Sequence, residues 1–146
     1  GVFSAFSEFI MTALLQAASA GGIESMQHIN RTVLKTQFVA GILSIAVFSV
    51  LFAVYGLLIF DGAALVTLVL APLVYLPTVF LMTLFGNGPM NRKLDGLDHS
   101  AAETEAYWRH YGRVWTRRNH VRALGSVLTA GLYLVAAVTL ITSGQV

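Results

Sequence analysis

The residues best suited to chemistry cluster where the last long apolar run of the sequence begins. Asn119, His120 and Arg122 place an amide, an imidazole and a guanidinium within four positions of one another. Asn91 follows an earlier apolar run, and Asn30 precedes another. These groups either build a shared binding pocket or serve separately, as helix caps or, for Arg122, as a contact to lipid phosphate. We predict that Asn30, Asn91, Asn119 and His120 converge in one pocket.

A single carboxylic acid lies in the middle of a long apolar run. Glu8 stands in the first run, flanked on both sides by apolar residues. A charged side chain at the centre of a bilayer costs at least about 2.5 kcal/mol. We therefore predict that Glu8 is an intramembrane acid that faces the interior of a helix bundle and finds a hydrogen-bonding partner there. It serves either a functional role or the association of helices.

The residues that bind metals form no recognisable motif. Glu24 and His28 are four positions apart and could face one ion, but the four histidines are otherwise scattered. The chain has no cysteine, which excludes disulfides, thiol nucleophiles, iron–sulfur clusters and thiolate-ligated haem. The prediction is no metal and no cofactor, with a haem or a metal ion as the alternative.

Four long apolar runs must position these groups, at roughly 1–18, 38–60, 63–86 and 121–142. A run of about 20 residues rising about 1.5 Å per residue matches the roughly 30 Å hydrocarbon core of a bilayer. Because backbone groups in lipid must be satisfied within the segment, these runs are predicted to be helices. We predict an all-α, integral membrane four-helix bundle, with residues 1–146 as a single transmembrane domain.

The segments between the spans carry their own signals. Residues 23–35 and 101–116 are predicted to form short helices at the cytoplasmic interface, the second rich in aromatic and basic residues. Asp61-Gly62 predicts a tight turn between the second and third spans, and Gly86-Asn87-Gly88-Pro89 predicts the end of the third. The sequence leaves open whether the helix that begins near 101 continues into the fourth span.

The basic residues predict the orientation of the bundle. All nine Lys and Arg residues fall within 31–35 and 92–122, on what would be one side of the membrane. By the positive-inside rule that side is cytoplasmic, so both termini lie outside, most naturally across the plasma or inner membrane.

Composition limits the partners. The sequence is 56% hydrophobic and 11% charged, which excludes an ordinary soluble domain. Its net charge of +2 reports orientation rather than nucleic-acid binding. The partner expected from composition is the lipid bilayer, with homo-oligomerisation allowed and no nucleic acid.

Four short motifs, in this order and spacing, resemble the anthrone oxygenase-like family of small four-span membrane proteins. They are Ala5-Phe6-Ser7 with Met11, residues 26–31 (MQHINR), residues 89–94 (PMNRKL) and residues 115–122 (WTRRNHVR). Members from polyketide pathways are taken to oxidise an anthrone to an anthraquinone with O2. The resemblance implies the fold more strongly than the reaction, and it implies a hydrophobic aromatic small molecule as a partner.

If the activity carries over, the resemblance implies a base, an oxyanion site and a flat apolar slot, with no metal or flavin. His120 is the expected base because histidine exchanges its proton near neutral pH. Arg122, with Asn119 and Asn91, is expected to stabilise the oxyanion. Substrate-binding rings are expected from three aromatic residues, Trp108, Tyr111 and Trp115.

A non-enzymatic reading uses the same residues. The aromatic and amide cluster would equally suit a helical bundle that binds a quinone, a lipid or haem. It would also suit an accessory subunit of a larger membrane complex.

Overall fold

The described part of the chain folds into helices joined by short turns. The computed structural model describes residues 1–144, and within them we number five helices. They are α1 (Val2–Gln16), α2 (Ser19–Val33), α3 (Gln37–Ile59), α4 (Gly62–Asp95) and α5 (Ala102–Thr142). The last three are long and apolar enough to cross a membrane. The predicted all-α membrane bundle is therefore confirmed, and the protein is an integral membrane protein.

Helix α1 is shorter than the first predicted span. It comprises Val2–Ala5, a π-helical stretch Phe6–Ile10, and Met11–Gln16. At about 1.5 Å per residue it measures about 22 Å, against roughly 30 Å for a hydrocarbon core. Within the described residues three helices reach spanning length, and the fourth predicted span is not confirmed.

Helices α1 and α2 form a tight corner through an extended backbone and a glycine. Ala17 leaves the helix with ψ of 166°, and α2 starts two residues later. A methyl group on Gly22 would collide with the carbonyl oxygen of Leu14, so glycine permits this close approach. The predicted interfacial helix 23–35 is thus α2, which begins earlier and buries Ile23, Met26 and Asn30.

Helices α3 and α4 form the predicted antiparallel hairpin. The hydroxyl oxygen of Thr36 caps α3 by accepting from the amide of Phe38 at 3.3 Å. Gly62 adopts a φ of 58° in the turn after Asp61, a left-handed conformation that favours glycine.

Helix α4 does not end at Gly86–Pro89, as the sequence had predicted. It runs as Gly62–Tyr75, then as a π-helix over Leu76–Asn87, and continues as Gly88–Asp95. Pro89 occupies the first turn of that last segment, where its missing amide hydrogen is least costly. Residues 90–95 are consequently helical, and Asn91, Arg92 and Asp95 among them line the site described below.

Helix α5 is one continuous helix of 41 residues, about 60 Å long. The helix predicted over 101–116 is therefore the first part of α5, and it continues into the fourth predicted span, which the sequence had left open. Gly112, in the middle of this helix, is buried against α1, where an added methyl group would lie 2.6 Å from the Leu15 side chain. Its role is close packing between helices, and this requires no bend.

The helices pack around two apolar cores. Helix α4 lies between α3 and α5 and packs on both. One core, near the basic residues, contains Trp108, Tyr111 and Trp115 with side chains from α1, α2 and α4. The other lies farther along α3 and α4, around Tyr75 and Val79. The candidate site occupies the space between these two cores.

Candidate functional site

A polar cavity of about 210 Å³ lies at the basic end of the bundle, between α2, α3, α4 and α5. Asn30, Asn91 and Arg122 all line it, which brings together residues from three segments that the sequence had grouped. Three buried polar atoms of its lining residues have no hydrogen-bonding partner in the described chain: Nδ2 of Asn30, Oδ1 of Asn87 and Nε of Arg122. Buried polar atoms normally find a partner, so this cavity is the candidate site.

One face of α4 supplies a polar stripe to this cavity. Its members are Thr83, Asn87, Asn91 and Asp95, spaced four residues apart, and all four line the cavity. Three of them were missed as site residues by the sequence reasoning. Their spacing of four residues places them on one side of a helix, and this was the signal available in the sequence. It was overlooked because α4 was expected to end at Gly86.

Arg122 is the buried cation of the site. It is 6% exposed, and its Nη2 donates to Oδ1 of Asn119 at 2.7 Å while its Nη1 lies 3.4 Å from Oγ1 of Thr83. Its guanidinium carbon also lies 4.5 Å from the ring centre of Phe3 and 5.2 Å from that of Trp115. Within the described chain no carboxylate pairs with it. A buried positive charge with neutral partners is suited to receive an anion.

Asn91 is held by two aromatic donors. Its Oδ1 accepts hydrogen bonds from the Tyr111 hydroxyl and from Nε1 of Trp115, both at 2.8 Å. Because Oδ1 is occupied twice, its Nδ2 is the group left to face the cavity. Asn91 therefore joins the site to the aromatic core.

The three aromatic rings that the sequence analysis expected to bind substrate stack on one another. The rings of Trp108 and Tyr111 stack 5.4 Å apart, and those of Tyr111 and Trp115 stack 6.3 Å apart. All three side chains are buried, and none lines a cavity. Successive members of this set are three and four residues apart, so the rings share one helix face and pack into the core rather than along either cavity.

Asn119 is buried and acts as a connector. Its Nδ2 donates at 2.7 Å to both the carbonyl of Phe3 and the hydroxyl of Ser7, which fastens α1 to α5. Its Oδ1 accepts from Arg122. Asn119 thus positions the guanidinium without lining the cavity itself.

His120 lies outside the cavity. It is exposed, whereas its neighbours Asn119 and Arg122 are buried. At about 100° per residue, His120 points about 160° away from Arg122 around the helix, so the two cannot share one face. The prediction that His120 joins this pocket was wrong.

Glu8 also departs from its predicted position. It is exposed, while Ser7 and Met11 form the face of α1 that packs into the bundle. Glu8 makes no hydrogen bond to the described residues. Apolar side chains lie on both the packed and the exposed faces of this run, as Met11 and Phe9 show, so hydrophobicity alone could not show which face of α1 turns inward.

A second, apolar cavity of about 720 Å³ adjoins the first, and we call it the apolar crevice. It lies between α3 and α5, with Tyr75 of α4 among its lining residues. Exposed side chains such as Phe48 and Phe52 belong to its wall, so it opens on the apolar surface of the bundle. Pockets of this size and character hold small organic ligands.

Two phenylalanines separate the crevice from the polar cavity. Phe38 lines both spaces, and Phe3 lines the crevice while covering the guanidinium of Arg122. Their ring centres are 5.4 Å apart in an edge-on arrangement. The guanidinium of Arg122 is therefore one side chain away from an apolar space.

The residues lining these cavities offer little to a metal. No group of three or more His, Asp or Glu side chains in residues 1–144 is placed to hold an ion. No histidine is among the described residues that line either cavity, so neither space offers an imidazole ligand to haem.

Comparison with known proteins identifies a family whose sequence model matches this chain. The family model described as anthrone oxygenase matches residues 26–132 of the 146. The matched range includes the whole lining of the polar cavity, from Asn30 to Arg122. No curated protein and no solved structure matches the chain.

Proposed function

The chain belongs to the anthrone oxygenase family, and we propose that it is a membrane-embedded oxygenase that oxidises a hydrophobic aromatic substrate with O2. The substrate class is an anthrone or a hydroquinone-like ring system. The proposed enzyme works without a cofactor, because the reactive group is an electron-rich substrate anion.

The observation that carries this proposal is the buried Arg122 without a carboxylate partner. A guanidinium in a low-dielectric cavity favours any step in which a neutral ligand becomes an anion. Asn91 and Asn30 add amide groups to the same cavity. Together they would stabilise an enolate oxygen, the charge that forms when an anthrone loses a proton from its ring methylene.

The apolar crevice supports the same assignment. An aromatic substrate dissolved in the bilayer can enter between α3 and α5 without passing through water, since the crevice opens on the apolar surface. Movement of the Phe3 ring would then bring the substrate oxygen to the guanidinium. The ring of the substrate would replace that of Phe3 in the contact with Arg122.

The proposed chemistry balances without another reactant. The methylene carbon loses a proton, and the anion passes one electron to O2. Superoxide adds to that carbon, forming the C–O bond, and takes up a proton to give a hydroperoxide. The O–O bond and the remaining C–H bond then break, releasing water and leaving a carbonyl. One oxygen atom enters the product and the other enters water.

The proton acceptor in this proposal is Asp95 rather than His120. Among the described residues that line the polar cavity, Asp95 provides the carboxylate. Its Oδ1 accepts from Nε of Arg31 at 2.6 Å, and both side chains are partly exposed, so a proton can pass to water. A weak base suffices because Arg122 lowers the free energy of the substrate anion.

We further propose the membrane arrangement that this route needs. The basic end faces the cytoplasm and the Asp61 turn faces outward, as the positive-inside rule predicts. Helix α1 would enter the membrane as a fourth, shorter segment held by Asn119.

The alternative is a protein that binds a quinone or lipid without oxidising it. The almost wholly apolar lining of the crevice suits such a ligand.

Oxygen uptake distinguishes the oxygenase from the binding protein. Purified protein in nanodiscs, given anthrone, should consume O2 and release one anthraquinone per O2, in the presence of a chelator. A rate equal to that of empty nanodiscs, which reports autoxidation, would reject the oxygenase and leave the binding function.

A further inference from the structure

Three arginines lie on the outer face of α5, and we call this surface the arginine stripe. Its members, Arg109, Arg113 and Arg117, are four residues apart and all exposed. At about 100° per residue, they lie within a sector about 80° wide. None of them lines the polar cavity or the apolar crevice. The proposed oxidation therefore does not use this surface.

Two members of the arginine stripe have no ionic partner within residues 1–144. Arg109 donates to Oε1 of Glu105 at 3.3 Å, and its side chain is still 79% exposed. Arg113 and Arg117 form no ion pair with the described residues. Like charges four residues apart on a helix repel one another. The stripe therefore favours a partner that carries negative charge.

The arginine stripe continues directly into an apolar surface. At about 100° per residue, Leu124 and Val127 fall in the same sector of α5 as the arginines. Each of these two side chains is 66% exposed. Every exposed side chain of α5 from Val121 to Ile141 is apolar, in a helix apolar enough to cross a membrane. One face of α5 thus changes from basic to lipid-facing within about one turn, between Arg117 and Val121.

A contact with α4 shows that the change occurs at the same level on both helices. Nη1 of Arg118 donates to the carbonyl of Gly86 at 2.7 Å, where the apolar run 63–86 ends. Lipid headgroups add about 5–8 Å on each side of the hydrocarbon core. Because four residues of helix rise about 6 Å, Arg117 and Arg113 lie at headgroup depth. Arg109 lies about one turn farther out, within a Debye length of about 8–10 Å.

We propose that the arginine stripe binds the headgroups of anionic phospholipids in the leaflet at the basic end of the bundle. A guanidinium presents paired donors that match two oxygens of a phosphodiester. A lipid is favoured over a soluble acidic protein because the same helix face meets the bilayer one turn away. This inference does not depend on the proposed oxidation or on which side of the membrane the basic end occupies.

The test titrates the full chain, purified in a mild detergent, with two lipids that have identical chains: dioctanoyl phosphatidylglycerol and dioctanoyl phosphatidylcholine. Isothermal titration calorimetry, with empty micelles subtracted, measures the dissociation constant of each. The wild type should prefer phosphatidylglycerol about 100-fold, since each of three arginines contributes about fivefold. An Arg113→Gln, Arg117→Gln double variant should reduce the preference to about fivefold. Added salt should weaken it, because exposed charges are screened.

The matched control is the Arg92→Gln, Lys93→Gln double variant, which removes two exposed charges from α4 and leaves the arginine stripe intact. It should keep nearly the full preference. An equal loss in the control would mean that net charge, rather than this surface, attracts the lipid, and would overturn the proposal. Equal binding of both lipids by the wild type would also overturn it and would favour an acidic protein as the partner.

Discussion

The guanidinium of Arg122 donates a 2.7 Å hydrogen bond to Oδ1 of Asn119, one turn earlier on the same helix. The amide hydrogens of Asn119 are donated to the carbonyl of Phe3 and the hydroxyl of Ser7, both on α1. The pair therefore links the docking of the first helix to the position of the buried charge. Because Asn119 is neutral, it orients the guanidinium without cancelling the charge that an anionic ligand would meet.

Asn91→Leu should destabilise the folded protein by about 2 kcal/mol or more. The change leaves the Tyr111 hydroxyl and the Trp115 indole nitrogen without their shared acceptor, and each unpaired buried donor costs about 1–3 kcal/mol. Thermal unfolding in detergent should show the loss. An unchanged melting temperature would mean that the two donors find other partners.

Gly125→Ala and Gly131→Ala form a matched pair on α5. A methyl group on Gly125 would collide with the side chain of Thr78, lying 2.7 Å from its Cβ, whereas one on Gly131 meets nothing within 4 Å. Gly125→Ala should cost about 1–3 kcal/mol of stability by overpacking the contact between α4 and α5.

Gly131→Ala should be neutral or slightly stabilising, because alanine favours the helix. Denaturant or thermal unfolding of both variants tests the packing. Equal effects of the two substitutions would contradict the close approach of α4 and α5 at Gly125.

His120→Ala should keep most of the oxygenase activity, whereas Asp95→Asn should lose it. His120 is exposed on the far side of α5, while Asp95 lines the polar cavity. A general base contributes about 10²- to 10⁴-fold in rate. Initial rates of O2 uptake with anthrone decide which of the two residues is the base. A loss of that size in His120→Ala would show that His120 takes part in the reaction.

A cysteine introduced at Ser143 tests the orientation. The sequence contains no cysteine, so a Ser143→Cys variant carries a single reactive thiol at an exposed position just after α5. A membrane-impermeant maleimide added to intact cells should label it. Labelling only after the cells are opened would place the basic end outside and contradict the proposed topology.

Hydrophobic length was enough to predict much of this fold from the sequence. The runs that became α3, α4 and the second half of α5 are apolar and long, and the Asp61-Gly62 turn connects two of them as predicted. Helix ends were less predictable. Gly86–Pro89 resembles a terminator, but the π-helical stretch before it lets α4 continue to Asp95.

The site was only partly predictable because it depends on how each helix is rotated. Asn30, Asn91 and Arg122 were expected to meet, and they do. Glu8 and His120 were assigned inward by residue type. The close contacts made at Gly112 and Gly125 set which face of α5 turns inward, and the bonds from Asn119 to Phe3 and Ser7 set which face of α1 does. The residue pattern of an apolar run does not predict such contacts between helices.

The most direct test of the central claim is the anthrone-dependent O2 uptake of Arg122→Gln compared with that of Arg117→Gln. Both changes remove one arginine from α5, but Arg117 is exposed and Arg122 is buried in the site. Loss of an oxyanion-stabilising group typically costs about 10²- to 10³-fold in rate. We predict that loss for Arg122→Gln, with the bundle still folded by tryptophan fluorescence and size-exclusion chromatography, and a nearly wild-type rate for Arg117→Gln. Equal rates in the two variants would show that Arg122 does not stabilise the substrate anion.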